Sequence, residues 1–392
     1  MKRVIALLCL GLLAPALVWA GGEIYGTIHT DRGDTYTGSI RWDKNENFWD
    51  DVLDAEKSDK VFVEGGSRVR VFGITLGDDN GYWTHPELAI PFGHIKSIEP
   101  RRGGKVDIVM KNGLELRIDA DGSDLGSGMR GLSIHDQSEG EVSLDWDDVD
   151  LIEFAQGPGS GLDERRLYGT VETDAGDFTG YVVWDRDEAL KEDILDGDED
   201  GRARKIPFDR IQRIEGRSRG SRVTLVDGKT LMLEDSNDVD DDNRGIDVTV
   251  PGLGLVKVGW DEFRAVTFAL APRSRAYAEF DGGRKLYGTV TDEDGNRYTG
   301  SVVWDNDEAY SWEPLNGSDN DVEFAIPFEN IKSITRESRR SAKVELNNGE
   351  VLFLGESNDV DRDNKGIRIQ TEGGEVELDW YEFESVVFAN HP

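Results

Sequence analysis

The sequence is poor in the residues that build most catalytic and metal centres. It has one cysteine, Cys9, and five histidines among 392 residues. Because Cys9 lies in an N-terminal apolar segment, the rest of the chain has no thiol for a disulfide, a nucleophile or a zinc site. No phosphate-binding loop is present, and no Gly-x-Ser-x-Gly elbow accompanies the strand-to-helix pattern that it requires. These absences argue against the common nucleotide-binding and hydrolase machineries.

Long hydrophobic runs are also missing after the first twenty residues. No later segment approaches the roughly 20 apolar residues that a membrane helix needs. Residues 1–20 begin with Lys2 and Arg3, continue as an apolar run to Leu17 and end on Ala20. This order is typical of a cleaved signal peptide. We expect a soluble bacterial protein that is exported to the periplasm or secreted.

Positive charge is scarce. The chain has 80 acidic and 45 basic residues, for a formal net charge of −35. Such a chain repels nucleic acid and anionic lipid, since binding to phosphate depends on clustered lysine and arginine. The electrostatic field of the chain favours cations and basic partners. A requirement for solubility alone would also explain the high negative charge.

What the sequence does contain is a repeat. A Tyr-Gly-Thr motif follows Ile24, Leu167 and Leu286, and each copy continues to a Trp-Asp pair, an Ile-Pro-Phe segment and an aromatic-rich ending. These landmarks predict three repeats, at residues 21–157, 165–270 and 284–390. The first carries an insertion at about residues 61–88. Residues present in every repeat are expected to be scaffold more often than active site.

Within each repeat the pattern is that of β-strands. Short β-branched and aromatic segments alternate with glycine turns, and Asn112-Gly113, Asp227-Gly228 and Asn348-Gly349 mark tight hairpins. We therefore predict an all-β fold with no long helix after the signal peptide. The two halves of a repeat end on similar apolar patterns, so each repeat is expected to contain two small antiparallel modules of SH3-like or Sm-like size.

The sharpest candidate site is an acidic loop in the second half of repeats 2 and 3. Both loops read Asp-x-Asp-x-Asp-Asn followed by a cation and Gly-Ile, and alternating carboxylates can direct several oxygens at one Ca²⁺ ion. The predicted ligands are Asp238, Asp240, Asp242, Asn243, Asp359, Asp361, Asp363 and Asn364. The glutamate that closes an EF-hand loop is missing. The alternative is a solvated loop organised by Asx turns, in which Arg244 or Lys365 pairs with a nearby acid.

A second acidic group follows the Trp-Asp pair. It contains Asp43 and Glu46 in the first repeat, Asp185, Asp187 and Glu188 in the second, and Asp305, Asp307 and Glu308 in the third. Such carboxylates can bind a cation, or a pair of them can act as acid and base in glycoside hydrolysis. The sequence does not place any two of them at a defined separation.

Aromatic residues outside the repeat pattern suggest a partner surface. Trp49, Tyr82 and Trp83 lie among polar residues and are candidates for contact with a protein or a glycan. Together these features predict an exported, non-catalytic binding or scaffolding protein that Ca²⁺ stabilises. The alternatives are a carbohydrate-active or other carboxylate-dependent enzyme and a purely structural envelope protein.

Overall fold

A computed structural model describes residues 21–43, 45–56, 62–64, 67–69, 87–120, 124–159 and 162–389. These residues form strands joined by turns and by single-turn 3-10 helices, which confirms the all-β prediction. The proposed signal peptide and most of the predicted insertion lie outside the described ranges. Within those ranges, no helix has both the length and the apolar character needed to cross a membrane.

The described part of the first repeat forms twelve strands. They are β1 (Tyr25–Thr30), β2 (Thr35–Trp42), β3 (Val52–Glu56), β4 (Phe62–Glu64), β5 (Ser67–Val69), β6 (Glu87–Pro91), β7 (Ile95–Arg101), β8 (Lys105–Met110), β9 (Glu115–Asp119), β10 (Leu132–Asp136), β11 (Gly140–Leu144) and β12 (Val149–Phe154). The hairpin β4–β5 lies in the predicted insertion and pairs with β9.

The second and third repeats form ten strands each. In the second they are β13 (Tyr168–Thr173), β14 (Asp177–Val183), β15 (Ile194–Asp198), β16 (Ala203–Pro207), β17 (Ile211–Arg217), β18 (Gly220–Leu225), β19 (Thr230–Leu233), β20 (Ile246–Val250), β21 (Gly254–Val258) and β22 (Phe263–Phe268). In the third they are β23 (Tyr287–Asp292), β24 (Arg297–Val303), β25 (Pro314–Asp319), β26 (Val322–Pro327), β27 (Ile331–Arg336), β28 (Ser341–Leu346), β29 (Val351–Gly355), β30 (Ile367–Thr371), β31 (Gly374–Leu378) and β32 (Phe383–Phe388).

Short 3-10 helices join some of these strands. They span Phe92–His94, Gly126–Gly128, Trp146–Asp148, Leu162–Arg165, Phe208–Arg210, Tyr277–Glu279, Phe328–Asn330 and Asn358–Val360. Three of them begin at the phenylalanine of an Ile-Pro-Phe segment, and the proline before it ends a strand because it has no N–H to donate to the ladder.

The two halves of each repeat exchange strands. In repeat 2, β13 pairs with β14 and with β22, and β14 pairs with β20 of the second half. The first-half strand β17 pairs with β18 and β22, and the first-half hairpin β15–β16 reaches β19 through a bridge between Asp198 and Glu234. Repeat 1 has the same order, β11-β10-β2-β1-β12-β7-β8-β9-β3-β6. Each repeat therefore contains two five-strand halves that are completed by each other's strands.

Glycine pairs lie where the exchanged strands approach one another closely. Gly169 lies opposite Gly180, and the equivalent pairs are Gly26 with Gly38 and Gly288 with Gly300. A Cβ atom on Gly169 would lie 2.5 Å from the backbone oxygen of Thr267 on β22. Only glycine allows this approach, which explains why the Tyr-Gly-Thr motif recurs.

The repeats are joined in two ways. Repeats 2 and 3 share one hydrophobic core and one ladder, in which β21 pairs with β26. Repeat 1 has its own core, which also takes in Phe280 from the linker before repeat 3 and Trp312 from repeat 3. Arg166, only 2% exposed, links repeats 1 and 2 by ion pairs to Asp50 and Asp51. The three repeats thus pack on one another.

Candidate metal centre

The two acidic groups that the sequence keeps apart meet in space. In repeat 2, Trp184 directly follows β14. It begins a tight turn in which the Trp184 N–H donates to the Glu188 carbonyl at 2.8 Å. Asp185 takes a positive φ of 48° within this turn. The turn directs the carboxylates of Asp185 and Glu188 towards the same point.

The third carboxylate comes from the acidic loop between β19 and β20. The indole N–H of Trp184 donates to the backbone carbonyl of Asp238 at 2.9 Å, which fixes this part of the loop. The backbone N–H of Asp196, on β15, donates to Asp238 Oδ2 at 2.6 Å. β15 belongs to the first half of the repeat, and the acidic loop belongs to the second. The exchange of strands between the halves therefore brings Asp196 to Asp238.

The result is a group of three carboxylates. One oxygen each from Asp185, Glu188 and Asp238 lie within 4.8 Å of one another, and the same is true of Asp305, Glu308 and Asp359 in repeat 3. We call them the repeat 2 cluster and the repeat 3 cluster. Ca²⁺ binds oxygen at about 2.4 Å, so ligands on opposite sides of one ion are up to about 4.8 Å apart. Each cluster therefore has the dimensions of the ligand shell of a single divalent cation.

A basic residue from the acidic loop borders each cluster. In repeat 2 the Arg244 backbone N–H donates to Asp185 Oδ1 at 2.6 Å, and its guanidinium donates to Oδ2 at 2.6 Å. In repeat 3 the ammonium of Lys365 lies 3.5 Å from Asp305 Oδ2. Asp185 and Asp305 are each held on both oxygens. One positive charge beside three carboxylates still leaves each cluster with a net negative charge.

Burial perturbs the acids strongly. Burial, reinforced by Asp238, raises the pKa of Glu188 from 4.5 to about 9. Burial also raises the pKa of Asp238 to about 6. In repeat 3, burial raises the pKa of Asp305 to about 6 and that of Asp359 to about 7. Each shift moves a carboxyl group towards its protonated form, because burial penalises the charged form and neighbouring carboxylates repel one another.

Repeat 1 keeps the same plan, with Arg130 in the place that Arg244 takes in repeat 2. Asp43, Glu46 and Asp124 occupy the equivalent positions, and Trp42 donates to the Asp124 carbonyl at 2.8 Å. The Arg130 guanidinium Nε donates to Asp43 Oδ2 at 2.8 Å, and burial followed by repulsion from Asp124 raises the pKa of Glu46 well above its usual range. Among the described residues, the grouping within 4.8 Å is found in repeats 2 and 3.

The remaining loop residues that the sequence suggested as ligands lie elsewhere. Asp240 accepts hydrogen bonds from the backbone N–H groups of Ser236 and Asp242, and Asn243 accepts one from Gly245. In repeat 3, Asp361 accepts from Asp363, and Asn364 accepts from Gly366. These are the Asx-turn contacts that the sequence offered as the alternative. Asp238 and Asp359 are the two loop residues that the structure brings into the carboxylate clusters.

The aromatic candidates also have defined places. Trp49 is fully buried, with its ring 4.4 Å from that of Tyr277 in the linker before repeat 3. It therefore contributes to packing between segments of this chain. Tyr82 and Trp83 lie outside the described residues.

Comparison with known proteins adds no name to these sites. No protein-family model matches the chain, and no curated protein matches it. The chemistry of the clusters has to be inferred from their geometry. Three oxygen donors with no nitrogen or sulfur ligand suit a hard cation of the Ca²⁺ and Mg²⁺ class.

Proposed function

We propose that the protein is an exported, non-catalytic β-repeat protein that serves as a binding or scaffolding module and holds one Ca²⁺ ion in each of repeats 2 and 3. Asp185, Glu188 and Asp238 bind the first ion. The equivalent acids of repeat 3 bind the second. The carrying observation is the gathering of three carboxylates within 4.8 Å in both repeats, all three buried in repeat 3 and two buried beside the half-buried Glu188 in repeat 2.

An unmet hydrogen-bonding group in repeat 2 supports a ligand. Glu188 Oε2 is inaccessible to solvent and has no hydrogen-bond partner among the described residues. In repeat 1 the same holds for Oε2 of Glu46, a residue that is 9% exposed. A buried carboxylate oxygen without a partner is costly. A cation bound by the Glu188 carboxylate would offset that cost.

The charges support a divalent ion. Three carboxylates and one arginine or lysine give a net charge of −2, which one divalent cation neutralises. Ca²⁺ accepts irregular arrangements of carboxylate and carbonyl oxygens, whereas Mg²⁺ demands a near-octahedral shell and retains several waters. The proposed export, inferred from residues 1–20, would place the protein where Ca²⁺ is abundant.

The position of the clusters favours stabilisation over turnover. Asp305 is 1% exposed, Asp359 is 3% exposed and Glu308 is 8% exposed. Each cluster joins a turn of the first half to a loop of the second, so a bound ion would hold the exchanged halves together. A carboxylate-dependent enzyme and an envelope protein without a ligand remain the alternatives from the sequence, and no contact described above favours either.

Luminescent Tb³⁺, a Ca²⁺ substitute, tests the proposal directly. Trp184 and Trp304 border the two clusters and would transfer excitation to a bound ion. We expect two sites that Ca²⁺ displaces, one site in Glu188→Gln and none in Glu188→Gln/Glu308→Gln. Saturation at 100-fold over Kd should stabilise the protein by about 2.7 kcal/mol per site.

The matched control is Asp240→Asn/Asp361→Asn, which alters loop acids outside the clusters. It should retain both sites. If this variant loses the ions while the glutamine double variant keeps them, the binding site is the loop itself. If the unaltered protein binds neither Tb³⁺ nor millimolar Ca²⁺, the proposal is wrong.

A further inference from the structure

The ladder that joins repeats 2 and 3 is formed by two outer strands. In this antiparallel pair, Leu255 lies opposite Ala325, Val256 opposite Phe324 and Lys257 opposite Glu323. The opposite charges of Lys257 and Glu323 support the pairing, since residues directly opposite in a ladder interact. The chain thus shows how the last hairpin of one repeat meets the first hairpin of another.

Two strands with the same places in the fold have one side open. In repeat 3, β31 is the counterpart of β21, and among the described strands it pairs only with β30. In repeat 2, β16 is the counterpart of β26, and within the same ranges it pairs only with β15. Each open edge presents backbone N–H and C=O groups that another strand can pair with.

The side chains on these two edges have opposite charges. β31 carries the exposed Glu375 and Glu377, and β16 carries Arg204 and Lys205, the latter 74% exposed although it contacts Asp196 at 3.0 Å. The register of β21 with β26, transferred to these strands, sets Glu375 directly opposite Lys205. Glu377 then lies diagonally from Lys205 on the same face of the ladder. Pairing of either edge with itself would instead bring like charges together, which is unfavourable.

We propose that β31 of one copy of this protein pairs antiparallel with β16 of a second copy, in the register that β21 and β26 use within the chain. The contact is heterologous, because the two surfaces differ, so it can extend beyond a dimer into a ring or a linear array. This inference rests on the scaffolding role proposed above and names its partner. It does not depend on the Ca²⁺ sites.

Other outer strands fit this contact less well. In repeat 1, Ala89 on β6 occupies the position of Lys205 and offers no charge. The outer strand β11 has Glu141 at the position of Glu375, but Ser143 stands at that of Glu377. The complementary pair with the most opposite charge is therefore β31 with β16.

Sedimentation of the full-length exported protein over a range of concentrations tests the contact. We expect concentration-dependent association at low salt that weakens at least tenfold in 0.5 M NaCl, because the charges are exposed. Glu375→Lys alone and Lys205→Glu alone should each remain monomeric. A mixture of the two variants should associate, since each supplies the edge that complements the other.

The controls separate this contact from its alternatives. Glu141→Lys, the matched change on β11, should leave association unchanged, and all measurements are repeated in EDTA and in Ca²⁺. Association that requires Ca²⁺ would assign it to the metal sites. A monomer at every concentration, a loss caused by Glu141→Lys instead, or two variants that do not complement each other would overturn the proposal. Thermal melts of each variant establish that the fold is intact.

Discussion

The Trp184 indole N–H donates a hydrogen bond to the backbone carbonyl of Asp238 at 2.9 Å, across 54 residues of sequence. The equivalent bonds join Trp42 to Asp124 and Trp304 to Asp359, both at 2.8 Å. This contact ties the acidic loop to the turn that carries the other two carboxylates. It gives the recurring tryptophans a role in positioning the clusters as well as in packing.

Replacement of Trp184 by phenylalanine should therefore affect one cluster and spare the other. The buried Asp238 carbonyl would lose its donor, and the smaller ring would leave space in the core. We expect a loss of about 2–4 kcal/mol in the free energy of unfolding, measured in urea. Ca²⁺ affinity at the repeat 2 cluster should fall, measured by isothermal titration calorimetry because Trp184 is itself the residue that would sensitise Tb³⁺ there.

The repeat 3 cluster serves as the internal control for Trp184→Phe. Its own tryptophan, Trp304, is unchanged, so one site of unaltered affinity should remain. Equal weakening of both sites would show that the hydrogen bond does not position Asp238 locally.

The sequence predicted which acidic segments contribute to the site more completely than how those segments are arranged. It singled out the acidic loops and the acids after each Trp-Asp pair as separate candidates. Their meeting depends on contacts between the two halves of the repeat, the hydrogen bonds that Asp238 accepts from Trp184 and Asp196, and no local pattern reports such contacts. The available signal was that Trp-Asp-x-x-Glu and the acidic loop recur together in repeats 2 and 3.

Gly169→Ala tests the close approach of the paired strands β13 and β22. The added Cβ would lie 2.5 Å from the Thr267 oxygen, a distance that only movement of the backbone can relieve. We expect a loss of about 3 kcal/mol, measured by urea denaturation. Gly373→Ala is the control, since its Cβ would meet nothing nearer than 3.7 Å, and it should change stability by less than about 1 kcal/mol. Equal effects at both positions would show that the close approach is not the reason for the glycine.

The fold, like the site, could be predicted where it depends on residues close in sequence but not where it depends on residues far apart. Turn residues and alternation predicted strands, and Asn112-Gly113 does connect β8 to β9 with Gly113 at a φ of 89°. Two similar halves were visible in the sequence because each repeats the same apolar ending. The exchange of strands between the halves was not visible in the sequence, because β14 has the same alternation of buried and exposed residues whether it pairs with β16 or with β20.

Arg166 provides a test of the junction between repeats 1 and 2. Its guanidinium contacts Asp50 and Asp51 at 2.6 Å and lies between the rings of Phe48 and Tyr181. Arg166→Met would leave two largely buried acids, with side chains 13% and 10% exposed, without their cation, so we expect a loss of about 3–5 kcal/mol, measured by urea denaturation.

The matched control for Arg166 is Arg264→Met, which removes an exposed ion pair with Asp174. A change of at most about 1 kcal/mol is expected there, because solvent screens exposed pairs. If Arg166→Met were equally mild, the buried pairs would contribute little to holding the repeats together.

His94 connects repeat 1 to the linker before repeat 3 in a way that depends on pH. Its Nδ1 accepts a hydrogen bond from the Gly282 N–H at 3.2 Å, and its ring packs edge-on against Phe280. Burial lowers its pKa from 6.5 to about 4, an effect that Asp281 opposes and that Arg275 and Lys111 reinforce. Glu329 faces the other ring nitrogen at 3.8 Å.

The folded state therefore holds His94 neutral at pH values where the unfolded chain protonates it. Between the folded and unfolded pKa values of His94 the unfolded state binds more protons at this group, so the contribution of His94 to the free energy of unfolding falls as the pH decreases below 6.5. For this group the loss between pH 7 and pH 5 is about 2 kcal/mol. His94→Asn, which copies Asn330 at the same place in repeat 3, should lose about that much less over this range in urea denaturation. His135→Asn, an exposed site on β10, should follow the unaltered protein, and equal pH dependence in all three proteins would show that His94 is not buried in its neutral form.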